Sequence, residues 1–155
     1  MRWFLFLLIF GWASTADAAI KDVMEATCQI KLQVKEKTIT GGTGTLFLED
    51  KDKVYILTAG HVVKPKCDNM FVFFFNTGKP SHGMKAEVVF QVYEGVKDVA
   101  IISLKKEQFK NHPIPMPIPL AQKETALKKD EKVVSCGCPN LTWPNAWLGS
   151  VRSLE

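Results

Sequence analysis

Apolar and polar side chains alternate over residues 26–35, with Cys28, Ile30, Leu32 and Val34 apolar and Gln29, Lys31, Gln33 and Lys35 polar. A period of two is that of a half-buried strand. Gly41-Gly42-Thr43-Gly44 interrupts the alternation, residues 45–48 resume it, 49–53 form a charged turn, and 54–57 are apolar again, so a tight hairpin is expected. Residues 70–75 are apolar, aromatic and too few for a helix, and they read as a buried strand whose Phe71, Phe73, Phe74 and Phe75 pack as core. Two further strands are expected over 86–93 and 99–104. Short strands with turn signals between them, and little helical period, predict an all-β fold, an antiparallel barrel or sandwich.

Proline stands at every second place from Pro113 to Pro119, which excludes a central strand or a helix interior and makes residues 111–120 an extended connector. Residues 121–132 are polar. Val133-Val134-Ser135-Cys136-Gly137 then reads as a new strand leading to a turn at Cys138-Pro139-Asn140, the opening of a second structural unit. The glycines of 41–44 do not make a phosphate loop, because a strand follows them where a helix and a Lys-Ser/Thr pair are needed. They are expected to allow a bend or bulge at a barrel corner.

Arg2 begins a stretch in which residues 3–13 are unbroken apolar and Ala16-Asp17-Ala18 is a small-x-small cleavage signature, so residues 1–18 read as a signal peptide. The run is too short to span a bilayer, which needs about 20 apolar residues. A secreted or periplasmic protein without stable membrane insertion is expected. Lys and Arg number 20 against 16 Asp and Glu, and the two signs are interspersed, which leaves no basic footprint for nucleic acid.

Export makes Cys28, Cys67, Cys136 and Cys138 candidates for disulfides. Cys136 and Cys138 on one strand face would strain a direct bridge, so Cys28 with Cys67 is the preferred pair, with four buried thiols as the alternative. Cys-x-Cys lacks the usual zinc-ligand spacing, and no metal is expected. His82 and His112 fall in turn-rich, proline-flanked stretches and are expected at the surface.

Gly44-Thr45-Leu46-Phe47-Leu48 followed by Tyr55-Ile56-Leu57-Thr58-Ala59-Gly60-His61-Val62-Val63 resembles the trypsin-like peptidases, and the Thr-Ala-Gly-His-Val-Val wording is most similar to the HtrA-like members. Lys97-Asp98-Val99-Ala100-Ile101-Ile102-Ser103-Leu104 is similar to the family's aspartate-bearing strand. The order, His61 and then Asp98, is that of chymotrypsin and not that of subtilisin or the α/β-hydrolases. Glu131 to Pro139 resembles the start of the family's second barrel, and Gly149-Ser150-Val151 the strand after it.

The resemblance implies a chymotrypsin-like double β-barrel: an N-terminal barrel over 19–120 and an incomplete C-terminal barrel begun over 121–155. It implies a serine endopeptidase acting on polypeptide substrates, without metal or organic cofactor. His61 would be the general base and Asp98 its orienting partner. The family's Gly-(Asn/Asp)-Ser-Gly-Gly nucleophile motif is absent from the 155 residues, so the nucleophile is expected beyond them. Ser150 and Ser153 lack its glycines, and Cys136 lacks the Gly-x-Cys-Gly arrangement of a cysteine nucleophile. The alternatives are a non-catalytic, peptidase-like binding domain and an inactive fragment.

Overall fold

The computed structural model describes residues 20–122 and 127–152; the signal-peptide reading of residues 1–18 and Ser153 lie outside them. Strands β1 (Thr27–Val34), β2 (Lys37–Glu49), β3 (Lys53–Thr58), β4 (Asn69–Phe74), β5 (Met84–Lys85), β6 (Glu87–Glu94) and β7 (Lys97–Lys105) form one sheet. Their order is β5-β4-β1-β2-β3-β7-β6, and every neighbouring pair is antiparallel. Strands β8 (Lys132–Gly137) and β9 (Asn145–Ser150) pair in a separate two-stranded sheet. The fold is all-β and chymotrypsin-like. Among the described residues no helix is long and apolar enough to cross a membrane.

The two outermost strands of the sheet, β5 and β6, are separated in the chain by Ala86 alone. One bent run therefore pairs with β4 on one side and β7 on the other, closing the sheet into a six-stranded barrel. At the bend the Ala86 N–H donates to the Met70 carbonyl at 2.9 Å. The Gln108 side chain accepts from the Lys85 N–H at 2.7 Å and donates to its carbonyl at 2.9 Å, replacing a missing strand neighbour. Inside lie Ile30, Leu32, Leu46, Val54, Ile56, Val72, Phe74, Met84, Ile102 and Leu104, all essentially fully buried. Each such side chain contributes about 1.5–3 kcal/mol by leaving water.

The Asn111 to Leu120 connector begins in a turn at Asn111 and His112 and has neither helix nor strand from Pro113 on, with Ile114 and Ile118 packed on the core. The Ile118 N–H donates to the Leu46 carbonyl at 2.9 Å. The second sheet is tied to the barrel by Gln29, whose amide donates to the Thr142 carbonyl at 3.1 Å, and by Thr43 Oγ1, which accepts from the Cys138 N–H at 2.8 Å. Phe75 and Trp143 pack beside these bonds with ring centroids 4.7 Å apart and planes tilted by 55°.

Four expectations are corrected. The glycine run does not break the strand: β2 continues through residues 41–44, and the bulge on this ladder lies between Leu32 and Gln33 of β1. The glycines are there for close approach, since a Cβ on Gly41 would stand 2.1 Å from the Ile30 carbonyl oxygen and one on Gly44 2.4 Å from Ile56 Cγ2. Of the four phenylalanines only Phe74 is core; Phe71 and Phe73 are half-buried, with the Lys31 ammonium 4.9 Å above the Phe73 ring, and Phe75 faces Trp143. Strand alternation forces this split, because successive side chains leave opposite faces.

His82 is exposed as expected, but His112 is buried, its Nε2 hydrogen-bonded to Asn76 Oδ1 while Asn76 Nδ2 donates to the Pro113 carbonyl. The prolines that suggested a surface turn instead press the connector onto the barrel. Because the Asn76 amide donates elsewhere, its oxygen accepts and His112 Nε2 carries the proton. Cys28 and Cys67 do not pair: all four cysteines are free. Cys67 adjoins Asp68, whose N–H donates to the Gln33 carbonyl, five strand rises from Cys28 and so about 17 Å away, far beyond bridging range. Burial raises the Cys28 thiol well above its usual range and, with Cys136 nearby, pushes Cys138 up to about 11.

Two outcomes are expected. Alkylation of the folded protein followed by mass spectrometry will leave Cys28 and Cys138 unmodified until denaturant is added; a Cys28–Cys67 disulfide in the native protein would refute the strand placement. Burial and the neighbouring His82 lower the His112 pKa from its ordinary 6.5. The unfolded chain then binds this proton more readily than the folded one, so stability is full above about pH 6.5 and declines as pH falls through the folded value. Urea unfolding at neutral pH and at about pH 5 should show a smaller loss in His112→Gln than in the parent. Equal losses would remove His112 as the cause.

Candidate active site

At the end of β3 the chain passes through Ala59, which is extended, into a single helical turn, Gly60–Val63, whose Val62 and Val63 are buried. Anchoring those two valines leaves His61 on the outer side, with its side chain 57% exposed. Two glycines make the turn fit. A Cβ on Gly42 would meet Val62 Cγ2 at 2.6 Å, and one on Gly60 would stand 2.2 Å from the Val92 carbonyl oxygen. The Thr58 hydroxyl donates to the Thr43 carbonyl at 2.8 Å, fixing the strand end. The Gln91 amide donates to the Gly60 carbonyl at 2.9 Å, fastening the turn to β6.

Asp98 enters at the start of β7, directly across the ladder from Tyr93. One of its oxygens accepts from the His61 backbone N–H at 2.8 Å; the other lies 2.6 Å from His61 Nδ1. Both bonds favour the carboxylate, and the His61 ring is the largest cause of a pKa held below the usual carboxylate value. An ionised carboxylate only accepts, so Nδ1 carries the proton and Nε2 presents its lone pair outward. That is the tautomer of a general base.

The structure thus brings His61 and Asp98 together, as the sequence suggested. It does not add Ser150 or Cys136 to them by any bond: Ser150 pairs with Lys132 and Cys136 with Ala146 in the second sheet. Among the described residues no cluster of three or more His, Cys, Asp or Glu could hold a metal. The sequence did not reveal Tyr93 beside the imidazole, Lys64 over the Tyr93 ring or Gln91 on the Gly60 carbonyl. Their signal was the hairpin itself, since Gly95, at φ 58°, sets the turn that places Tyr93 opposite Asp98.

The sequence model of the trypsin family matches residues 19–153. The chain belongs to the trypsin family. Among solved structures it is similar to the serine endoprotease from Yersinia pestis, at 18% identity and a TM-score of 0.66, over 88% of this chain and 44% of that one. The chain therefore spans less than half the length of the structure it matches. No curated protein matches it.

Membership of a peptidase family makes the exposed His–Asp pair the place to test. Gly60→Ala sets a Cβ against backbone, where no rotamer change relieves it. The expected result is a stability loss of about 1–3 kcal/mol in urea unfolding, with chemical-shift changes confined to the Gly60–Val63 turn and the β6–β7 hairpin. An unchanged midpoint would show that the turn is looser than this geometry.

Proposed function

We propose that the protein is the His- and Asp-bearing part of a serine endopeptidase of the HtrA-like type, exported by residues 1–18 and acting on extracytoplasmic polypeptides. The observation that carries the reading is the double acceptance by Asp98 of the His61 N–H and the His61 ring. In this reading residues 19–120 are the first barrel and 121–155 the opening of the second. The nucleophilic serine lies outside the 155 residues, a reading supported by the 44% coverage of the Yersinia structure.

The proposed chemistry is that of acyl transfer. His61 Nε2 takes the serine hydroxyl proton as Oγ bonds to the scissile carbonyl carbon, and the imidazolium returns that proton to the leaving amine as the C–N bond breaks. Water then repeats the sequence on the acyl-enzyme. Asp98 keeps Nδ1 protonated throughout and stabilises the imidazolium. The second barrel, with the serine and the donors for the oxyanion, would close the open side of the pair and raise the strength of each of these interactions.

The test is to express the longest product of the reading frame that contains this chain and treat it with a fluorophosphonate probe. Labelling is expected, slowed by a factor on the order of a thousand or more in His61→Ala. A product that folds but never labels would end the peptidase reading and leave a peptidase-like binding domain.

A further inference from the structure

Tyr93 stands on β6, is 48% exposed and contributes nothing to the barrel core. Its ring meets the His61 imidazole edge-on, with centroids 6.2 Å apart and planes at 62°. The Lys64 ammonium lies 4.3 Å from the centroid of the same ring. Lys64 is the residue that ends the helical turn bearing His61, three positions on and hence on its side of the turn. Among the described residues Lys64 forms no ion pair with a carboxylate, so the ring is its recorded partner.

An imidazole this exposed, on a single helical turn, is free to exchange among staggered rotamers unless something blocks the outward swing. Asp98 holds one edge of the ring through Nδ1. Among the described residues the aromatic ring beside the imidazole is that of Tyr93. Because Tyr93 and Asp98 are opposite partners in the β6–β7 ladder, both side chains leave the same face of the sheet, on the side of the His61 turn. The ammonium above the tyrosine face fixes the ring's plane through its quadrupole.

We infer that Tyr93, pinned by Lys64, is a positioning residue that keeps the His61 imidazole in the rotamer bonded to Asp98. The inference rests on the peptidase reading for its purpose, but the contact it describes needs no nucleophile. Two aromatic or cationic contacts of this kind are worth enough to lower the population of the swung-out imidazole about three- to tenfold.

The test is proton NMR of the 155-residue chain, following the low-field His61 Nδ1–H and its exchange with water, with Asp98→Asn to assign it. Tyr93→Leu should accelerate that exchange about three- to tenfold or broaden the signal away, while Tyr93→Phe keeps the parental rate. Lys64→Met, an exposed change that leaves the fold intact, should give a smaller acceleration, about twofold. The amide spectrum of β1 to β4 reports whether each variant is folded, so a structural collapse in Tyr93→Leu leaves Lys64→Met to decide. Parental exchange in Lys64→Met and in folded Tyr93→Leu would overturn the inference. The fluorophosphonate result does not enter: a protein that never labels but shows these exchange rates fails the peptidase reading alone.

Discussion

Everything described here depends on one strand belonging to two neighbours. The run from Met84 to Glu94, bent at Ala86, supplies both ends of the sheet, and the sheet closes because of it. Closure removes the exposed edges an open sheet would present and forces alternate side chains into a space just wide enough to be filled by them. Lys85, at the corner, stands opposite Phe71 of β4, and its own N–H and carbonyl are completed by the Gln108 amide. The same strand, continued past the bend, carries Gln91 and Tyr93 to the His61 turn, so the geometry of the site is a consequence of how the barrel closes.

Closure at this radius also explains the glycines. Where β2 passes β1, β3 and the His61 turn, the backbone comes close enough that a methyl group at position 42 or 44 would collide with Val62 or Ile56. At Gly60 the obstacle is the Val92 carbonyl oxygen, which a side chain cannot displace by rotating. Packing at interior density leaves no slack to absorb these contacts. The His61 turn is therefore pressed between β2 and β6, and the direction in which His61 leaves it follows from that compression.

Strand β1 was legible in the sequence because burial on one face writes a period of two, whereas β3 and β4 were legible as short apolar runs, and their alternation shows only in burial. His61 and Asp98 were legible through their flanking residues and meet as those residues suggest. What escaped was information held in register. The Gly41 to Gly44 stretch looks like a break to any local reading, since only the positions of Ile30, Ile56 and Val62 across the sheet show why glycine is needed there. His112 looked exposed because prolines usually mark surface turns, yet its burial is decided by Asn76, 36 positions away. Pairing the cysteines by sequence failed for the same reason: Cys67 meets β1 at the end opposite to Cys28.

The second sheet is where sequence and structure pull in different directions. The β8–β9 hairpin holds Val134 opposite Leu148 on one face and Ser135 opposite Trp147 on the other. Leu148 is 75% and Trp147 49% exposed, an unusual amount of apolar surface for a two-stranded sheet, which by itself is marginal in water. Its attachment to the barrel, through Gln29, Thr43 and the tilted Phe75–Trp143 ring pair, grips the loop that joins β8 to β9 and leaves these faces open. Under the proposed peptidase reading the rest of a second barrel would pack on these open faces, and the contacts of the loop with Gln29, Thr43 and Phe75 would set where on the first sheet it stands.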